Sequence, residues 1–310
     1  MNVAVIGAGT LGTAIAVLLE RAGHRIGGIS GRDETRERAS SHLAGAPFLE
    51  PAEAAAAAEL VVIGTPDDVI EPTVEALAAA AALGPGTWVV HLSGSLGLDA
   101  LKSAAVAGAG ILAIHPLQTF PDVGSALERL RGCSIAITAE DEEGYLLGER
   151  LAGDLDGVPF RLSGELRPLY HAAAVFASNY LVTASAIAES LFAEAGVPDP
   201  ARAMGPLQRA TIENVEQLGP ARALTGPAVR GDAGTIRRNL EALEARAPEL
   251  VPAYVAMARA TLHLAERSGR LSSGARAAVE DVLDRWSRSA ARTNSCTRRR
   301  RGVQTDGMWD

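Results

Sequence analysis

The stretch "NVAVIGAGTLGTAIAVLLERAGHRIGGI", residues 2–29, constrains the fold more than any other part of the chain. Its apolar start, Asn2–Ile6, reads as a short buried strand. The run to about Arg21 reads as a helix stopped by Gly23, and a second strand follows. Gly7, Gly9 and Gly12 form G-x-G-x-x-G in the turn between strand and helix, the context in which that spacing is specific. Gly7 permits the tight turn, Gly9 lets backbone approach a pyrophosphate, and Gly12 lets the helix pack close to the strand. Thr10 and Leu11 then lie in the helix N-terminus that faces the anion.

The alternation continues with strand candidates at Leu60–Gly64, Trp88–Leu92, Gly110–Ile114, Ser134–Thr138 and Pro159–Leu162, separated by Ala-rich helical stretches. Parallel neighbours need crossover connections, so this order predicts an α/β fold: an N-terminal Rossmann-type, doubly wound, mostly parallel sheet. After Leu162 only helix-period segments follow, which predicts an all-helical C-terminal domain. The expected boundaries are 1–164 for the nucleotide-binding domain and 165–288 for the helical domain. Residues 289–310 read as a disordered basic tail carrying four consecutive arginines, Arg298–Arg301. At 310 residues the chain exceeds what one core usually fills.

A net charge of −8 gives no electrostatic reason to bind nucleic acid or an anionic membrane. Cys133 and Cys296 lie too far apart to suggest a disulfide framework or a metal site. The N-terminus lacks a basic flank before its apolar run, so no signal peptide is expected and the protein reads as cytoplasmic. Leu169–Ala188 carries no formal charge, but its Ala, Ser, Thr, His and Asn content suits a buried helix better than a membrane span.

The end of the second strand decides the cofactor. "HRIGGIS" ends at Ile29 or Ser30, where an NAD-type site would carry a carboxylate; Asp33 lies beyond, in a helix-cap position. Ser30 and Arg32 fit a 2′-phosphate instead, since a guanidinium offers charge and a planar fork of donors. The expected cofactor is therefore NADP(H). Arg36 or Arg38 could add to that phosphate clamp or simply be solvent-facing residues of the next helix, the reading the sequence favours. The end of the next strand places Thr65, Pro66 and Asp68 at the edge where ligands bind, with Thr65 and Pro66 walling the nicotinamide ribose; Asp67 and Asp68 read equally as helix-start residues.

Two further strand ends carry polar groups: "HLSGS" presents Ser93 and Ser95, and "IHPLQT" presents His115. Reducing a C=O or C=N bond needs a donor to the heteroatom as negative charge develops, a task imidazole performs near neutral pH. His115 is the leading candidate; the bland alternative is a histidine that satisfies loop carbonyls before Pro116. In the helical half, His171, Val175, Asn179 and Val182 share one face at i, i+4, i+8 and i+11, so His171 and Asn179 join the candidates. "LTGPAVRGDAGT" is a polar connection in which Thr225 and Arg230 are candidate substrate ligands, Arg230 for a carboxylate, and Asp232 a helix cap.

The motifs "GAGTLG", "GTPDD", "HLSGS", "HPLQTF", "YHAAAVFASN" and "TGPAVRGD" resemble a family of Rossmann-like proteins with a C-terminal helical domain of unassigned function. That family lies within the reductases whose C-terminal domain is like that of 6-phosphogluconate dehydrogenase. The resemblance covers about Met1–Arg288 and implies NADP binding, a helical domain that forms a homodimer, and a site for a small carboxylate substrate. Ketopantoate and pyrroline-5-carboxylate reductases are similar in architecture, and a role in pantothenate synthesis is implied. Ketopantoate reductases, however, carry a catalytic lysine four residues before an asparagine, and Val175 stands there before Asn179. Prephenate dehydrogenases carry a Gly-Ser strand end and a later His-Pro, which map onto Ser95 and His115. Three functions follow as expectations: an NADPH-dependent reductase of a small 2-oxo or imino acid, a non-catalytic NADP(H)-binding sensor, and a prephenate-type dehydrogenase.

Overall fold

The computed structural model describes residues 1–300, with side chains through residue 287. Seven strands form one sheet: β1 (Asn2–Ile6), β2 (Arg25–Ser30), β3 (Leu60–Ile63), β4 (Trp88–His91), β5 (Gly110–Pro116), β6 (Ser134–Ala139) and β7 (Val158–Arg161). Their order is β2-β1-β3-β4-β5-β6-β7, all neighbours parallel except β5 and β6. The sheet is thus mostly parallel, as the alternation implied. Its central strands are near-continuous Val/Ile/Leu runs because helices cover both faces; β3 is buried at every position. The outer strand β7 is exposed throughout and carries Pro159, which an edge tolerates because it need not donate on its open side.

Around the sheet pack α1 (Thr10–Arg21), α2 (Asp33–His42), α3 (Pro51–Ala56), α4 (Asp67–Ala79), α5 (Lys102–Val106), α6 (Val123–Arg129) and α7 (Glu142–Asp154). One face of the sheet buries Val3, Val5, Leu60, Val62 and Val90 against Ile15 and Leu19 of α1. The other face buries Ala4, Ile6, Val61 and Ile63 against Ile70, Val74 and Leu77 of α4.

Helices alone follow: α8 (Arg167–Ala177), α9 (Asn179–Glu194), α10 (Pro200–Leu218), α11 (Pro220–Ala223), α12 (Pro227–Arg230), α13 (Ala233–Arg246), α14 (Val251–Arg267) and α15 (Ser273–Arg300). The chain divides into two compact units at Thr183/Ala184, not at 164/165, because α8 sits on the sheet unit through Arg167 and Tyr170. The second unit has its own core, built from Ile236 and Leu240 of α13, Val255 and Leu262 of α14, and Val279 and Leu283 of α15.

Four expectations change. The helical face through His171 and Asn179 is not continuous: Ser178 leaves helical geometry at φ −123°, ψ −72°, and α9 restarts at Asn179. Leu169–Ala188 is not a buried core helix, since none of the apolar window within 164–194 is buried, although its length and composition suffice to cross a membrane. Asp33 is the first helical residue of α2, not its cap; Arg32 holds the cap position and accepts from Thr35 through its carbonyl. The segment 289–310, read as an irregular tail, has helical backbone as far as Arg300, and 301–310 lie outside the described residues.

Candidate functional site

The glycine turn is assembled by β2. The Ser30 carbonyl accepts from the N–H groups of Gly7 (2.8 Å) and Ala8 (3.0 Å), so Ser30 anchors the loop through its backbone. Gly7 has φ +100°, and a Cβ there would lie 2.6 Å from the Gly64 backbone. Only glycine meets both constraints. A Cβ on Gly9 would meet nothing within 4 Å, and the first turn of α1 has no side-chain cap and no acidic residue. Its backbone donors therefore face open space beside a positive helix end, the arrangement that binds an anion.

A cleft of about 910 Å³ opens there, lined by Gly7, Gly9, Ser30, Arg32, Thr65 and Pro66 among others. Thr10 and Leu11 do not line it: Thr10 begins α1, and Leu11 packs on the core. Gly12 is buried against the Gly7 carbonyl, which a Cβ would strike, so its part is helix packing. The Thr65 hydroxyl is buried with no hydrogen-bond partner, an orphan that a bound nucleotide would satisfy. Arg32 is exposed and lies 3.8 Å from Glu34, a loose solvated pair of little energetic worth. Arg36, read from sequence as solvent-facing, lines the same cleft and stacks over the Phe48 ring at 4.4 Å. Phe48 and Arg36 thus form a flat wall that the sequence did not disclose, because Phe48 sits in an irregular connection where periodicity carries no signal.

Beyond Pro66 the polar groups of three strand ends interlock. Asp67, the first residue of α4, accepts from the hydroxyls of Ser93 and Ser95, both at 2.7 Å, so its carboxylate ties β3 to the β4 loop rather than merely opening a helix. The Ser93 hydroxyl in turn accepts from the Ser95 and Leu96 N–H groups, each at 3.1 Å. Both serines are thereby committed to the loop. His91 is fully buried; the Ser93 N–H donates to its Nδ1, which leaves Nε2–H to donate to the Gly97 carbonyl, each at 3.2 Å. Burial, aided by the Arg167 charge, pushes the His91 pKa down to about 4, so the ring is neutral.

Arg167 is the unexpected member. Its side chain is fully buried, and it donates to Thr138 Oγ1 at 2.9 Å and to the Ser93 carbonyl. No carboxylate lies within 4.0 Å of it among the described residues. A buried cation without a counter-ion lowers its own pKa, here to about 10, and casts its field on its neighbours.

His115 lies inside β5, not after it, and faces a second cleft of about 760 Å³. His171, Val175, Asn179 and Val182 line that cleft with it, so the structure gathers these residues despite the break at Ser178. His115 Nδ1 is 2.8 Å from the Tyr170 hydroxyl, and the rings meet edge to face. The bland reading of His115, capping the turn before Pro116, does not apply. Burial, then the charge of Arg167, lowers its pKa to about 4. Sequence reasoning missed Tyr170, which precedes His171 and falls outside the face on which the helical pattern was read. Thr225 and Arg230 are exposed residues of the second unit and do not line this cleft; Asp232 caps α13, accepting from Thr235 N–H at 2.9 Å.

Residues 1–116 match the model of a Rossmann-like domain, and residues 133–261 match that of a domain of unknown function, DUF2520. The chain therefore carries a Rossmann-like domain followed by a DUF2520 domain, the pairing its motifs resembled. A Bacteroides fragilis protein described as a candidate NADP oxidoreductase is 24% identical at a TM-score of 0.71, over 84% of this chain and 98% of that one. A Thermotoga maritima protein is 26% identical at 0.66, over 86% and 100%. The imine reductase of Myxococcus stipitatus in complex with NADP+ is 16% identical at 0.60, over 92% and 99%, and shares the fold. No curated protein matches the sequence.

Proposed function

We propose that this chain, a Rossmann-like domain followed by a DUF2520 domain, is an NADPH-dependent oxidoreductase that reduces the C=O or C=N bond of a small 2-oxo or imino acid, ketopantoate among the candidates. The observation that carries the reading is the continuity of groups along one sheet edge. Pro66 walls the nucleotide cleft, its neighbour Asp67 holds Ser93 and Ser95, and Gly94 between those serines lies against His115. A dinucleotide laid along that edge brings its reactive ring toward an imidazole.

The residues present fit the cofactor: uncapped donors at α1 receive the pyrophosphate, the orphaned Thr65 hydroxyl with Pro66 receives a ribose, and Arg32 with Arg36 receives the 2′-phosphate. Bound NADPH supplies the hydride that adds to the electrophilic carbon. His115, neutral at physiological pH, contributes as a hydrogen-bond donor to the heteroatom as the π pair moves onto it, and water supplies the proton. His171 and Asn179, which line the same cleft as His115, border the substrate.

The assembly proposed is a homodimer through the exposed apolar faces of α8–α10. The buried free thiol of Cys133 suits a reducing, cytoplasmic setting.

The test has two arms. NADPH should bind more tightly than NADH, and Arg32→Ala with Arg36→Ala should abolish that preference by about tenfold or more. Glu50 and Glu53 also line the cleft, so a protein preferring NADH would assign the ribose to an acid and favour the prephenate-type reading. In a panel of 2-oxo acids and cyclic imines, turnover should fall by about 100-fold in His115→Ala. Wild type and variant equally inert across the panel would leave a non-catalytic NADP(H)-binding protein.

A further inference from the structure

The His115 ring has two nitrogens, and the structure treats them differently. On one side the Tyr170 hydroxyl lies 2.8 Å from Nδ1 and has no other described partner. A phenol whose proton has one acceptor nearby gives it to that acceptor, so Tyr170 donates and Nδ1 is unprotonated. The ring proton must then sit on Nε2, since the bond made by one nitrogen fixes the state of the other.

On the other side stands Gly94. A Cβ on this residue would lie 2.7 Å from His115 Nε2 and 2.8 Å from Cδ2 of His171. Its missing side chain lets the loop backbone pack directly against the two imidazoles, whose centroids are 6.3 Å apart, where any Cβ would displace both rings. Serines on either side pin Gly94 in place through Asp67.

We propose that Tyr170 and Gly94 are positioning residues that make His115 a hydrogen-bond donor of one tautomer and one direction: the tyrosine fills Nδ1, and the glycine, lacking a Cβ, lets the pinned loop backbone pack against the ring and hold its orientation. This rests on the reading of His115 as the group that meets the substrate heteroatom. Other groups facing the ring act the same way or weakly against it. From α8, Arg167 and His171 disfavour an imidazolium, and from α4 Asp67 favours it less strongly. Tyr170 stays a neutral donor, since burial lifts its pKa to about 12.

The experiment is long-range proton–nitrogen NMR of the full-length protein labelled at histidine nitrogens, with His115 assigned by its disappearance in His115→Gln. Expected is a single Nε2–H tautomer that does not change between pH 5 and 8, above a titration near pH 4. In Tyr170→Phe the tautomers should mix and the titration should move upward, because a bond favouring the neutral ring is gone. An Nδ1–H tautomer in wild type, or a His115 spectrum unchanged by Tyr170→Phe, overturns the proposal; the wild-type measurement stands even if the variant misfolds. Gly94→Ala should retain NADPH affinity and lose turnover, with kcat falling more than KM rises. Retained turnover in Gly94→Ala also overturns it. A protein with the expected tautomer but no turnover on any substrate would instead refute the reductase reading.

Discussion

His91 and His115 illustrate at the residue level how this site is tuned by what is missing. Both lie in the field of Arg167, a cation with no carboxylate within 4.0 Å among the described residues, and the more distant Asp67 offsets that field only weakly. Keeping them neutral links stability to pH. An unfolded histidine takes up a proton near 6.5, whereas folded His91 resists until about 4, so between those values acid favours the unfolded chain. The contribution is complete above pH 6.5, is lost progressively as pH falls from 6.5 to 4 and changes no further below that, amounting to roughly 3 kcal/mol for His91 at about 1.4 kcal/mol per unit. Urea unfolding at pH 7 and pH 4.5 should therefore show a loss of this order in wild type, and a clearly smaller loss in His91→Asn. Equal losses in both proteins would mean that the buried imidazole is not the acid-sensitive group.

Among the elements, the β1–α1 turn joins the fold to the ligand, and its glycines separate the two roles. Gly7→Ala places a side chain at positive φ and against the Gly64 backbone; the conformation alone costs about 1–3 kcal/mol. It should lower the unfolding midpoint and weaken NADPH binding together. Gly9→Ala meets nothing in the protein and has an allowed φ of −69°, so it should leave the midpoint nearly unchanged and weaken NADPH by about tenfold. Equal NADPH affinity in Gly9→Ala and wild type would place the pyrophosphate elsewhere. This element was legible in sequence because period-2 and period-3.6 patterns meet at a fixed glycine spacing. The sheet and the loss of strands after Leu162 were legible for the same reason. The α8–α9 region was not: Ser178 breaks the helix with no proline or glycine to mark it, so a face drawn through Asn179 runs across a kink. Tyr170, Arg167 and Gly94 also escaped, since their parts depend on contacts between α8 and strand ends 29 to 74 residues away in sequence, which no local pattern encodes.

At the scale of the molecule, the open question is what covers the apolar helices. Leu169, Phe176, Tyr180 and Val182 in the sheet unit, and Leu207 in the second, all present more than half of their surface to water. Monomeric proteins expose such side chains singly, not as a succession along adjoining helices. A membrane would accept the apolar positions, but it would also bury His171 and Asn179 in hydrocarbon, whereas a protein interface pairs polar groups with partners. A second copy of this chain therefore explains the exposure better. Light scattering should give twice the chain mass, and Phe176→Asp with Tyr180→Asp, two exposed residues that do not line the cleft, should give one chain mass with circular dichroism intact. Val182 also lines the cleft in front of His115, so a partner seated on α9 would help to close that cleft against water. The monomeric variant should consequently bind NADPH normally, through the distant glycine turn, yet turn over substrate poorly. A wild-type monomer at micromolar concentration with full turnover would remove both the dimer and its part in the site.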